Sequence, residues 1–99
     1  MVVLPKPLTF VWDKGNSDKN LVKHNVTNRE AEEVFLDPHK VYFQDATHST
    51  NIEIRHIVIG KTNAMRHLFV VFTIRDDRVR IISARNLNQK EYPLYEKAA

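Results

Sequence analysis

The most regular alternation of apolar and polar positions runs from Val70 to Arg85 (VVFTIRDDRVRIISAR), where two β-rich runs meet at Asp76-Asp77. This pattern predicts a β-hairpin. A loop of either two or four residues pairs Ile74 with Val79, Phe72 with Ile81 and Val70 with Ser83. Side chains alternate across a strand, so Val70, Phe72, Ile74, Val79 and Ile81 read as core, while Val71, Thr73, Arg75, Arg78, Arg80 and Ile82 share the opposite face. Three arginines are costly to bury unpaired, so that second face is expected to meet something polar and reads as an anion-binding surface.

The same reasoning applies upstream. Thr9 to Asp13 (TFVWD) is strand-like and should pair at a sheet edge. A helix is predicted from about Asp13 to His24, with Leu21 and Val22 as its apolar contribution. Lys23 and His24 fall at its C-terminal end, where cations suit the helix dipole, and Asn25 supplies a left-handed cap. Thr27 to Phe35 carries a capping box (Thr27 with Glu30), a staple between Val26 and Ala31, and an apolar face of Ala31, Val34 and Phe35. Asp37-Pro38 ends it. Two further strands are predicted, roughly His39 to Gln44 and Asn51 to Gly60, separated by a polar loop. After Arg85 an Asn88 to Glu91 box resembles a helix start, but Pro93 shifts the expected helix toward Tyr92. The order is α+β: a largely antiparallel β-sheet with N-terminal helices packed on one face and a short C-terminal helix.

Composition narrows the possibilities. The chain has 99 residues, 42% of them hydrophobic and spread over periodic segments, which fits one domain spanning residues 1–99. No apolar run approaches the ~20 residues that cross a bilayer. Pro5 and Pro7 interrupt the apolar start before a signal-peptide core develops, so a cytoplasmic location and no membrane partner are expected. The absence of cysteine excludes disulfides, thiolate zinc sites and cysteine nucleophiles. The five histidines are scattered over different elements with no HExxH, so neither a metal site nor a cofactor is expected. The formal charge of +3 is mild, but the arginines gather in the second half of the chain.

A set of short motifs then comes into view: Phe10-Val-Trp-Asp13, Asn20-Leu-Val-Lys-His24, Glu32-Glu-Val-Phe35 with Asp37-Pro38, Glu53-Ile-Arg55, Ile59-Gly60, Val71-Phe-Thr73 and Arg78-Val-Arg-Ile-Ile-Ser-Ala-Arg85. In order and spacing these resemble the BrnT family of type II toxins, small ribonucleases of RelE-like fold made beside a ribbon-helix-helix antitoxin. The resemblance extends from Phe10 to Glu96. The chain has Asn25 where the family commonly has glycine, and Asn86 where a further arginine often follows.

The resemblance implies metal-independent cleavage of RNA, with the ribose 2′-hydroxyl attacking the adjacent phosphate and growth arrest as the consequence. That chemistry needs cations on the phosphate and groups that move protons. Arginine suits the first task because its planar fork stays charged and engages phosphate oxygens bidentately. Arg80 is the first candidate for phosphate contact, being mid-strand on the polar face, and Arg55 follows from the Glu53-Ile-Arg55 match. Arg75 and Arg78 extend the RNA-binding face. The structural alternative is that these arginines pair with Glu53, Asp45 or an antitoxin carboxylate. Arg85 falls by the register on the core side near Leu68, so it is either turned out into the site or paired with Glu91. Lys23 and His24 are proton-transfer candidates, or else they cap their helix. His48 lies in a polar loop. Phe10, Trp12 and Tyr42 could stack on bases but also fit a core. Three functions follow: a toxin endoribonuclease held by a cognate antitoxin; a non-enzymatic module that docks a ribbon-helix-helix antitoxin and meets DNA only through it; or, given Asn86, a degenerate toxin that binds RNA without cutting it.

Overall fold

The computed structural model describes residues 2–96. Four antiparallel strands form one sheet in sequence order: β1 (Val41–Gln44), β2 (His56–Lys61), β3 (His67–Arg75) and β4 (Arg78–Asn86). Before them come α1 (Lys19–His24) and α2 (Asn28–Glu33), the latter continuing into a 3-10 turn (Val34–Leu36), and after them the short α3 (Tyr92–Glu96). Among the described residues no helix is long and apolar enough to cross a membrane.

The hairpin closes through a two-residue loop in which Asp76 and Asp77 both take left-handed backbone, at φ 53° and 58°. That is the geometry whose twist matches the strands, and aspartate tolerates it. Ile74 pairs with Val79 and Phe72 with Ile81, as the alternation predicted. Beyond Phe72 the register shifts. Val71 stands opposite Ser83 and Val70 opposite Ala84, so the expected pairing of Val70 with Ser83 does not form. Ile82 is the extra residue of a β-bulge, and Ser83 takes the place opposite Val71 that was assigned to it. The same inserted residue turns Arg85 to stand opposite Phe69, away from the core side where an unbroken alternation put it.

One sheet face packs against the N-terminal helices. Val58, Val70, Phe72, Val79, Ile81 and Ala84 form a continuous core with Val26, Ala31, Val34 and Phe35. Phe35 is the wedge, edge-on to Phe10 and Phe72 with ring centroids 5.2 and 5.0 Å apart. The capping box that starts α2 is complete: Glu30 N donates to Thr27 Oγ1 and Thr27 N to Glu30 Oε1, both at 3.0 Å. Gly60 lets this layer approach the sheet, since a Cβ there would lie 2.8 Å from Val34 Cγ1.

The opposite face is half covered. α3 lays Tyr92 and Tyr95 over Ile59, Phe69 and Leu87. Tyr95 is anchored through its hydroxyl, which donates to Asp37 Oδ2 at 2.7 Å. The Asp37 carboxylate also accepts from Lys61 N at 2.9 Å and His39 N at 3.0 Å. Burial alone would raise the Asp37 pKa, but these three donors outweigh it and hold the carboxyl below its usual range. Burial and the aspartate beside it push the Tyr95 phenol up to about 12.

The N-terminal segment seals the outer edge of β4. The predicted strand at Thr9–Asp13 reduces to one parallel bridge, with Val79 N donating to Thr9 O at 2.8 Å and Val11 N to Val79 O at 2.9 Å. Two buried carboxamides continue the seal: Asn16 Nδ2 donates to Ile81 O at 3.0 Å, and Asn20 Oδ1 accepts from Ala84 N at 3.0 Å. The helix expected from Asp13 begins only at Lys19, because Asp18 is left-handed at φ 58°. Asn25 does cap it in the left-handed region, at φ 55°. β2 is likewise shorter than predicted: Ser49 Oγ takes Arg55 N at 2.9 Å and Thr50 Oγ1 takes Glu53 N at 2.9 Å, turning residues 49–55 into a loop.

Candidate functional site

The half of the second sheet face that α3 leaves open lies at the hairpin end and carries a row of guanidiniums. Cross-strand pairing sets Arg75 opposite Arg78 and Thr73 opposite Arg80. Arg55 enters from the residue before β2. Thr73 forms the floor: it is buried, and its hydroxyl donates to Ile54 O at 2.9 Å.

Two carboxylates order the row. Glu53 accepts from Arg75 Nη2 at 2.7 Å and lies 3.5 Å from Arg55 Nε. Asp13 Oδ2 accepts from Arg80 Nη1 at 2.6 Å, while Asp13 Oδ1 takes Gly15 N at 2.8 Å. Gly15 lies against the Arg80 fork: a Cβ there would come within 2.7 Å of Arg80 Nη2 and push the end of that side chain aside. The hydrogen bond from Arg80, then that from the Gly15 amide, and the field of Arg75 among others keep the Asp13 carboxyl below its usual range. For Glu53 the hydrogen bond from Arg75 is the largest cause; it outweighs burial, and Arg55 adds to it. Arg75, bonded to Glu53, thus also adds to the positive field on Asp13. The Arg80 side chain is only 14% exposed while Asp13 is 53% exposed. Arg78, exposed at the turn, has no ion pair among the described residues and borders a shallow groove with Lys6 and Thr9. An open cleft of about 530 Å³ lies beside Arg75, where β3 runs past the start of β2, lined by Ile52, Glu53, Ile54, His56, Thr73, Ile74 and Arg75.

Three predicted site residues lie elsewhere. Arg85 forms two parallel hydrogen bonds to Glu91, each 2.8 Å, and its guanidinium sits 4.1 Å above the Phe69 ring. Five residues of strand separate it from Arg80, on the order of 16 Å. Lys23 and His24 are exposed in the last turn of α1. The carbonyls of His24 and Asn25 accept from Arg66 at 3.2 and 2.7 Å, and Arg66 also binds Asn86 and Glu30. This places them at the Asn86 end of β4, with Arg85 rather than with Arg80.

The remaining candidates are also placed. His48 is exposed and bonded to Asp45. Phe10, Trp12 and Tyr42 pack against the helix-side core, with Trp12 Nε1 donating to Glu32 at 2.6 Å. His56, one of the five scattered histidines, stands opposite Phe72 with ring centroids 5.3 Å apart, reaches the cleft beside Arg75 from the helix side of the sheet, and has its pKa lowered by burial. Asp13 was not considered as a partner of Arg80. Its place in the Phe10-Val-Trp-Asp13 motif, two residues before a glycine, was the available signal.

The family described as ribonuclease toxin, BrnT, of type II toxin-antitoxin system matches residues 12–91. The match takes in both carboxylates of the row, the whole hairpin and Glu91, and stops before α3. No curated protein matches the chain.

Proposed function

Because the chain belongs to the BrnT family of type II toxin-antitoxin ribonuclease toxins, we propose that it cleaves RNA without a metal, through the arginine row at the hairpin end of the sheet. The observation that carries this reading is that Arg75, Arg78 and Arg80 share one sheet face at the hairpin end, with Arg55 tied to Arg75 through Glu53. In this reading Arg80 and Arg55 grip the phosphate next to the cut and stabilise the charge that develops when the 2′-hydroxyl attacks it. Arg75 and Arg78 hold neighbouring phosphates. Arg85 is assigned instead to holding the tail, and Lys23 and His24 to the end of α1. The partner is a cognate ribbon-helix-helix antitoxin that covers the arginine face and supplies any contact with DNA. Unopposed, the protein arrests growth.

A second reading, a docking module without catalysis, draws on the fact that the row already binds carboxylates, the groups an acidic antitoxin would offer. Arg80→Ala and Arg55→Ala separate the two. Cleavage by the wild type that both variants lose, with antitoxin affinity nearly intact, supports the nuclease; a wild type that does not cleave, with antitoxin affinity lost in the variants, supports the module.

A further inference from the structure

We propose that Asp13 and Glu53 are internal stand-ins for phosphate, which hold the guanidinium forks in place in the free protein and are displaced when RNA arrives. The inference rests on the reading of the row as an RNA site and adds a regulated step to it. Three guanidiniums face two carboxylates here, so the paired row carries a single net positive charge.

The members of the Arg80–Asp13 pair are not held alike. Arg80 is the fixed partner: its side chain is 14% exposed, it rises from the middle of β4, and Gly15 lies against its fork. Asp13 is the more open one, 53% exposed and outside any helix or strand. Glu53 stands in a loop and is shared between Arg55 and Arg75; at 28% exposed it is less open than either, so there the asymmetry is absent. A solvent-exposed ion pair is weak, and a phosphate offers the same bidentate oxygen geometry with the same charge. An incoming phosphate therefore takes the place of the carboxylate, and Arg80 stays where it is.

The Arg85 pair marks the contrast. Glu91 engages both guanidinium nitrogens, its own carboxylate accepts from Asn88 N at 3.0 Å, and Phe69 covers the fork. Nothing there is free to leave.

The test is the affinity of the full chain for a labelled 2′-O-methyl oligonucleotide, which lacks the attacking hydroxyl, measured by anisotropy over a range of salt. Asp13→Asn and Glu53→Gln are compared with the wild type and with Glu33→Gln on α2. Removing one unit charge ~5 Å from a phosphate in water-like surroundings tightens binding about fourfold. The salt dependence should steepen as well. Without the competing carboxylate one more guanidinium counts fully against the phosphates, so the log–log slope grows by up to about 0.7 for single-stranded RNA. Glu33→Gln should show neither change. Unchanged or weaker binding by a folded Asp13→Asn or Glu53→Gln protein overturns the proposal. If one variant fails to fold the other decides, and if both fail the carboxylates are structural and the proposal falls. A wild type that binds no RNA overturns the reading of the site itself.

Discussion

Two ends of one sheet face carry arginine–carboxylate pairs that look interchangeable in the sequence and differ in the fold. At the α3 end, Arg85 is held by two oxygens of Glu91 and stacked on Phe69. At the hairpin end, Arg80 has one close contact to a half-exposed aspartate, beside an array that is only partly neutralised. The lesson is that a guanidinium's role follows from how its counter-ion is held. A carboxylate that gives both oxygens to the guanidinium makes the arginine part of the scaffold. One that gives it a single oxygen, the other being taken by a backbone amide, leaves the fork available to another anion.

The contrast is most directly broken by truncation at each end. Arg80→Ala and Arg55→Ala should lower RNA cleavage by about 10²- to 10³-fold, in line with the loss of a transition-state charge stabiliser. Their unfolding midpoints should hardly move. Equal losses from Arg85→Ala in single-turnover assays would erase the distinction. Next in size is Asp37→Ala, expected to destabilise the closed end by about 2–3 kcal/mol, because it strands the buried Tyr95 hydroxyl and two backbone amides. Denaturant titration checks this.

That contribution should also be acid-sensitive. The Asp37 carboxyl is held below its ordinary value of 3.8, so its share of stability is complete above that pH and lost as pH falls through the lower folded value. The gap between wild type and Asp37→Ala should therefore be full at pH 6 and narrow below about pH 4. Arg85→Ala should cost about 1 kcal/mol, since its pair is partly screened by solvent, and leave cleavage per folded molecule unchanged. The smallest effect belongs to neither end. The Tyr42 hydroxyl is buried with no hydrogen-bond partner among the described residues, and burial pushes its pKa up to about 12. Tyr42→Phe is expected to raise stability by up to ~1 kcal/mol without touching activity.

Much of this was legible in the chain. Alternation gave the hairpin, its arginine face and the first two cross-strand pairs; the Thr27–Glu30 box and Asn25 marked real helix ends. The errors share a physical origin. Ile82 is locally a good strand residue, and nothing in its neighbours announces a bulge, so counting by twos misplaced Arg85. Asn16 and Asn20 serve backbone groups more than sixty residues away, a tertiary role that local propensity does not encode. The hydroxyls of Ser49 and Thr50 compete with strand pairing and shortened β2. Finding Arg75, Arg78 and Arg80 needed only periodicity, and Arg55 came from the resemblance at Glu53-Ile-Arg55. Finding Asp13, which faces Arg80 across most of the chain, needed the fold.

The carboxamides along β4 also govern how this protein can associate with itself. With that flank closed, the margin on the far side of the sheet is β1, four residues long. So short a margin offers few backbone groups to a second molecule, which makes the sheet a poor template for growth by strand addition.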